Sequence, residues 1–271
     1  MQSLVKKIKS SDSSICDSII DVFEYINKNF KKDSVQLDLN EKIEKIKLNI
    51  SNQLNCFYKL KKLLHIFYID WKYGSATGLY KISDVLWIDK VLQNKKGTAL
   101  SLGIILMHIA NKLQIKLIPI IFPTQLILQF KNKDSKKNIF INPFNGEIIS
   151  KNLLDLWLKG HISSTTFLDK KDLKEVNSFV LICKILNSLK LALIEEKKLT
   201  LALKISNVLV EINPQDPYEI RDRGLIYSHL DCNHIAVSDL IYFIEHCPED
   251  PLSEIIKMQV HMIQKKKNIF H

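Results

Sequence analysis

Three short segments of this chain look like an active site from which the reactive groups are missing. They are residues 97–102, 122–128 and 141–146. Ser101 lies in the first segment, and a serine hydroxyl needs a base to remove its proton. Gln125 in the second has no titratable proton, and Asn142 in the third can orient a partner but cannot stabilise a developing charge. Cysteine is absent from residues 91–161. The segments therefore predict a fold more clearly than an activity.

Side chains that could bind a metal crowd the last third of the chain. They are His229, Cys232, His234, His246 and Cys247. Their spacing matches no zinc signature, so we expect neither a metal nor a cofactor. His108 lies in an apolar helical stretch, and we expect a hydrogen-bonded core histidine there rather than a general base.

The two arginines of the chain fall in one tripeptide, Arg221-Asp222-Arg223, although the chain has 39 lysines and arginines in total. This composition indicates a position where a guanidinium is needed and an ammonium does not serve. One interpretation is a structural bidentate bridge to a carboxylate of the chain. The candidate acceptors are Glu219, Glu245, Glu249 and Asp250. The other interpretation is a site for a partner's carboxylate or phosphate, and we favour the structural bridge.

The formal net charge of +10 could indicate nucleic-acid binding. Arginine is scarce, and isoleucine and asparagine are abundant. This composition instead indicates an AT-rich genome in which lysine has replaced arginine on the protein surface. Direct base readout favours arginine, so we expect no specific nucleic-acid partner. Five scattered cysteines without CxxC spacing are typical of free thiols in a reducing cytoplasm. The apolar runs are too short to span a bilayer, so we expect a cytoplasmic protein without a membrane partner.

Apolar periodicity predicts a helical first third and a small sheet in the middle of the chain. The predicted helices cover residues 14–31, 38–52, 56–70, 83–91 and 99–113. Ser83 and Asp84 are the expected N-cap of the fourth helix, and the fifth is apolar all round, which predicts burial. The predicted strands cover 117–122, 125–130 and 138–141. The expected fold class is α+β and mostly helical.

The last third repeats itself with a period of 34 residues. The period relates Ala202 to Ala236, Pro214 to Pro248, and the pair Asp216-Pro217 to Asp250-Pro251. Gly224 and Ala236 occupy places where small residues allow two antiparallel helices to approach, while Lys190 replaces the glycine in the first copy. We predict two tetratricopeptide-like repeats. Two are fewer than a free array needs, so we expect them to be docked rather than tethered.

Five strings of the chain resemble one bacterial family, the YchA-type proteins, which combine a transglutaminase-like core with tetratricopeptide repeats. The strings are LYKISDVLWIDKVL (79–92), FPTQLIL (122–128), INPFNGE (141–147), WLKG (157–160) and NPQDPYEIRDRGLIY (213–227). In the transglutaminase-like superfamily, a cysteine at a helix start, a histidine and an aspartate form the triad. The resemblance places Ala99 or Ser101 at the nucleophile position, Gln125 at the histidine and Asn142 at the aspartate. A relative in the family is named for regulation of invasion genes.

These observations together predict three regions: N-terminal helices over 1–92, a degenerate transglutaminase-like core over 93–165 and a repeat module over 166–271. The resemblance implies a pseudoenzyme, and we expect a cytosolic interaction or regulatory protein with an unidentified protein partner. One alternative is a hydrolase or acyl-transferase with a rearranged site at Ser101, which requires a base such as His108 or His161 nearby. A weaker alternative is nonspecific nucleic-acid association through lysines.

Overall fold

The computed structural model describes residues 2–9, 14–50, 55–132 and 137–268. As predicted, these residues are mostly helical and include a small antiparallel sheet, and they also form a short parallel strand pair that was not expected. The α-helices are α1 (Gln2–Lys9), α2 (Ile15–Ile26), α3 (Lys32–Asn49), α4 (Cys56–His65), α5 (Ile88–Asn94), α6 (Ala99–Lys112), α7 (Lys151–His161), α8 (Ser178–Glu195), α9 (Leu199–Ile212), α10 (Pro217–His229), α11 (Asn233–His246) and α12 (Pro251–Asn268). The chain divides into two compact units, Ser10–Ile185 and Met1–Lys9 with Leu186–His271.

The sheets lie in the unit Ser10–Ile185. A parallel pair joins β1 (Gly74–Ser75) to β2 (Lys96–Gly97). The larger sheet is antiparallel and has the order β3-β4-β5-β6. Its strands are β3 (Leu117–Ile121), β4 (Leu126–Asn132), β5 (Lys137–Ile141) and β6 (Ile148–Ile149). Leu128 of β4 pairs with Ile141 of β5, so the start of β4 and the end of β5 lie at the same edge of the sheet.

The predicted buried helix is α6. Every residue from Ala99 to Ala110 is buried, as a helix that is apolar all round requires. Thr98 is the N-cap of this helix. Its hydroxyl accepts from the Ser101 backbone N–H, and the Ser101 hydroxyl accepts from the Thr98 N–H. This reciprocal capping box satisfies two backbone donors at the helix start.

The predicted start of the fourth helix, at Ser83, is wrong. Residues Ile82–Val85 form one turn of 3-10 helix, and α5 begins only after Trp87. Leu86 and Trp87 are almost fully buried, and the Trp87 ring packs edge-on against Phe23 at 4.6 Å between ring centroids. Tertiary packing of this indole therefore interrupts the helix that the Ser-Asp capping signal favours.

Helices α8 to α12 show the 34-residue period in their backbone. Helix α11 begins and ends 34 residues after α9, and the turns before them place Lys197 and Asp231 in the same left-handed conformation, both with φ 58°. At Gly224 a Cβ atom would lie 2.9 Å from the Asp239 Cβ. The absence of a side chain therefore allows α10 and α11 to pack closely. Helix α1 packs against α9 in the same unit.

Candidate functional site

Gln125 and Asn142 form a hydrogen bond at one edge of the larger sheet. Gln125 precedes β4 and Asn142 follows β5, and the Gln125 Nε2 donates to the Asn142 Oδ1 at 3.2 Å. The same oxygen accepts from the Phe144 backbone N–H at 3.0 Å. Two amides therefore occupy the positions that the resemblance assigns to a base and its orienting carboxylate, and each supplies a polar partner to the other.

The loop after Asn142 is held by Tyr68, which lies in a π-helical turn over Ile66–Asp70. The Tyr68 hydroxyl donates to the Pro143 carbonyl at 2.7 Å, and burial raises the pKa of this phenol. Gly146 has φ 74°, and a Cβ there would lie 2.3 Å from the Tyr68 ring. The ring fits only because residue 146 is glycine, so the loop that carries Asn142 has a fixed shape.

Ser101 is fully buried and its hydroxyl is engaged in structural hydrogen bonds. It donates to the Val85 carbonyl at 2.7 Å and accepts from the Thr98 N–H at 3.0 Å. Gly97 packs directly against it, since a Cβ on residue 97 would lie 2.6 Å from the Ser101 Oγ. This oxygen joins the start of α6 to the turn before α5.

The α6 face that points at the two strand ends is marked by Gly103. A Cβ on Gly103 would lie 2.7 Å from Leu126 and 3.6 Å from Pro143. Residues four apart share a helix face, so Ala99 lies on this face one turn earlier. Ser101 is two residues from each and so lies on the opposite side. Of the two positions that the sequence left open, Ala99 shares the helix face of Gly103 and Ser101 does not, and the side chain of Ala99 is a methyl group.

The two candidate bases have other environments. His108 is buried, and its Nδ1 lies 3.1 Å from the Ser14 hydroxyl oxygen. Burial is the main cause that lowers the pKa of His108, and Lys112 adds to it, while Asp17 opposes the shift. His161 is exposed in the last turn of α7. Among the described residues, the hydrogen-bond partners of the Ser101 hydroxyl belong to Val85 and Thr98.

Arg223 makes a two-pronged bridge within the repeats. Its Nε and Nη2 donate to the two carboxylate oxygens of Asp239, each at 2.7 Å, and these bonds raise the pKa of the guanidinium. Arg221 donates from Nε and Nη2 to one oxygen of Asp222, at 3.1 and 2.7 Å. Its guanidinium carbon lies 5.3 Å from the Tyr218 ring centroid and 5.1 Å from that of Phe243, within cation–π range.

The prediction of Glu219, Glu245, Glu249 or Asp250 as the carboxylate acceptor of the arginines is wrong: Arg221 donates to Asp222, and Arg223 donates to Asp239. Asp222 is adjacent in the chain to Arg221, and Asp239 faces Arg223 because α11 packs closely on α10 at Gly224. Distance along the sequence does not identify the acceptor of Arg223, because the packing of α11 on α10 brings Asp239 to it. Two of the expected acceptors bind other groups: Glu219 accepts from Asn187 and Lys190, and Asp250 accepts from the Tyr218 hydroxyl.

Lys190 forms a buried ionic cluster that the sequence analysis did not predict. Its side chain is 1% exposed, and its Nζ lies 2.7 Å from Glu219 and 2.8 Å from Asp222. Asn187 donates to the other oxygen of Glu219 at 2.7 Å. The 34-residue period aligns this lysine with Gly224, which lies between packed helices. The alignment therefore indicates that Lys190 is buried, and a buried charge needs partners of opposite charge.

The histidine and cysteine side chains that were considered as metal ligands do not form a cluster among the described residues. Within the part of the chain that the structure describes, three or more His, Cys, Asp or Glu side chains do not gather as a metal site. The five cysteines are free thiols. No described helix is long and apolar enough to cross a bilayer.

Comparison with known proteins agrees with the two halves of this architecture. The model of the transglutaminase-like superfamily matches residues 33–187, and a tetratricopeptide-repeat model matches residues 189–261. A UPF0162 protein of Buchnera aphidicola subsp. Schizaphis graminum is 53% identical over 97% of this chain and 98% of its own length. The chain belongs to the transglutaminase-like UPF0162 family.

Two further relatives come from other bacteria. The UPF0162 protein YchA of Escherichia coli K12 is 46% identical over 95% of each chain. Protein SirB1 of Salmonella typhimurium is 44% identical over 96% of this chain and 97% of its own length. The YchA-type resemblance inferred from the sequence is confirmed, and so is the fold of a transglutaminase-like domain followed by tetratricopeptide repeats.

Proposed function

We propose that this UPF0162 chain is a non-catalytic, cytoplasmic protein that acts by binding another protein, with the transglutaminase-like core as a scaffold. The observation that carries the proposal is the Gln125–Asn142 pair. Neither amide can take up a proton from a nucleophile near neutral pH. Ala99, four residues before Gly103 on the α6 face that packs against Leu126 and Pro143, has only a methyl side chain. Such a core can serve as a scaffold for the repeats, but the side chains at its triad positions cannot act as the nucleophile or the base of acyl transfer.

The alternative of a hydrolase at Ser101 has little support. A nucleophile must reach a substrate, and the Ser101 hydroxyl is fully buried. It must also lose its proton to a base, and its hydrogen bond at 2.7 Å goes to a backbone carbonyl. We therefore assign this serine to capping and packing at the start of α6.

The repeats supply the surface for a partner. Leu191 of α8 and Tyr218 of α10 are large side chains, 56% and 47% exposed. Between these helices lies the ionic network of Lys190, Glu219 and Asp222, which fixes α8 against α10 at hydrogen-bond distance. A rigid surface with exposed apolar anchors suits recognition of a protein segment, since little ordering free energy is spent on binding.

Site-specific photo-crosslinking tests this proposal. A photoreactive phenylalanine analogue at residue 191 or 218, expressed in bacterial cells, should give a discrete crosslinked species. The matched control is the same analogue at Leu79, which is fully exposed in the other unit. The proposal fails if positions 191 and 218 give no species that the control position lacks.

A further inference from the structure

Helix α12 carries an exposed apolar stripe beside its buried face. Its buried side chains, among them Ile256, Val260 and Ile263, pack with Leu240 and Phe243 of α11. The stripe consists of Leu252, Ile255, Met258 and Met262, which are 43%, 53%, 64% and 55% exposed. Four large apolar side chains in a row on one helix are more than the scattered exposure that monomeric surfaces show.

The spacing of the stripe is that of a helix–helix seam. Ile255, Met258 and Met262 are separated by three and then four residues, the alternation of a and d positions in a coiled coil. From Leu252 to Met262 the seam rises about 15 Å, since an α-helix rises about 1.5 Å per residue. Methionine side chains adapt to irregular partners, so this seam suits a second helix better than a small ligand.

The charges around the stripe are divided between its two ends. Glu249, Asp250 and Glu254 surround the start of α12, and Lys265 follows the stripe at the other end. A parallel copy would bring like charges together, and an antiparallel copy brings acidic ends to basic ends and opposes the helix dipoles. Lys257, paired with Glu254 at 2.6 Å, and His261 are also exposed on this helix.

We propose that α12 pairs antiparallel with α12 of a second copy of this chain, forming a two-fold symmetric dimer. A two-fold contact uses the same patch twice, and the stripe with its opposite charged ends is complementary to itself in this orientation. The apolar side chains supply the affinity, because exposed ion pairs contribute little, and the charges set the orientation. This self-association does not require the proposed partner binding at α8 and α10.

Sedimentation velocity over a wide range of protein concentration tests the pairing. The parent chain should show a reversible monomer–dimer equilibrium. Ile255→Glu and Met258→Glu each place a charge in the seam and should weaken the dimer by about tenfold or more. Leu79→Glu, at a fully exposed position of the other unit, is the matched control and should leave the equilibrium unchanged. Circular dichroism of each variant checks that the fold is retained.

A charge exchange tests the orientation. Glu254→Lys and Lys265→Glu should each weaken the dimer, most clearly at low salt, and the double variant should recover it because the antiparallel ends are again opposite in charge. A parent chain that sediments as a monomer throughout overturns the proposal and leaves the stripe to another protein. A dimer that survives Met258→Glu, or that the double variant fails to recover, also overturns it.

Discussion

Lys190 and Gly224 occupy equivalent positions in consecutive repeats, but they have different structural roles. Glycine allows α10 and α11 to approach, whereas Lys190 is buried with its charge neutralised by Glu219 and Asp222. Removing one partner from a buried ionic cluster leaves the others uncompensated.

Lys190→Ala should therefore lower the free energy of unfolding by about 2 kcal/mol, less than for a fully buried pair because both carboxylates retain some exposure. Urea unfolding measures the loss. Lys47→Ala, which removes an exposed pair with Glu44, is the control and should cost less than about 0.5 kcal/mol. Equal effects of the two substitutions would contradict a structural role for Lys190.

The arginine pair tests why guanidinium groups occur in this lysine-rich chain. Arg223→Lys keeps the charge but loses the two-pronged bridge to Asp239, and Arg221→Lys loses the contact with the Tyr218 and Phe243 rings. Each should lower stability by about 1 kcal/mol or more, measured by thermal unfolding. The structural interpretation is contradicted if both variants melt like the parent.

At the scale of elements, patterns that depend on neighbouring residues were predictable. The burial of α6 followed from its apolar composition, and the repeats followed from the 34-residue period. The placement of Gln125 beside a predicted strand and of Asn142 after the next one followed from the apolar pattern, and the structure joins the two by a hydrogen bond. The break before α5 was not predictable, because it depends on where the Trp87 ring packs, and neither was the pairing of Arg223 with Asp239 across two helices.

The approach of α10 to α11 gives an element-scale prediction with a matched control. In Gly224→Ala the new methyl group would lie 2.9 Å from Asp239 and 3.1 Å from Leu240, so the helices must separate. Stability should fall by about 1–3 kcal/mol although alanine favours helix. In Gly160→Ala, within α7, the methyl meets no atom within 4 Å, and stability should rise by up to about 1 kcal/mol. Thermal melts in which both variants shift the same way would contradict the packing argument.

At the scale of the whole molecule, the net charge of +10 is the feature most open to misreading. A drifted lysine surface should bind DNA or RNA weakly and without sequence preference, and binding should disappear near physiological salt as counterions compete. A gel-shift titration over several salt concentrations checks this. Tight binding to one sequence at physiological salt would contradict it and favour a nucleic-acid function.

For the whole molecule, we propose that the transglutaminase-like core does not catalyse acyl transfer. Labelling of the purified protein with serine- and cysteine-directed activity probes, read by intact mass, tests this most directly. The account predicts no stoichiometric label on Ser101, because its hydroxyl is buried and bonded to the Val85 carbonyl. Stoichiometric labelling of Ser101 that is lost in a folded Ser101→Ala variant would contradict the account.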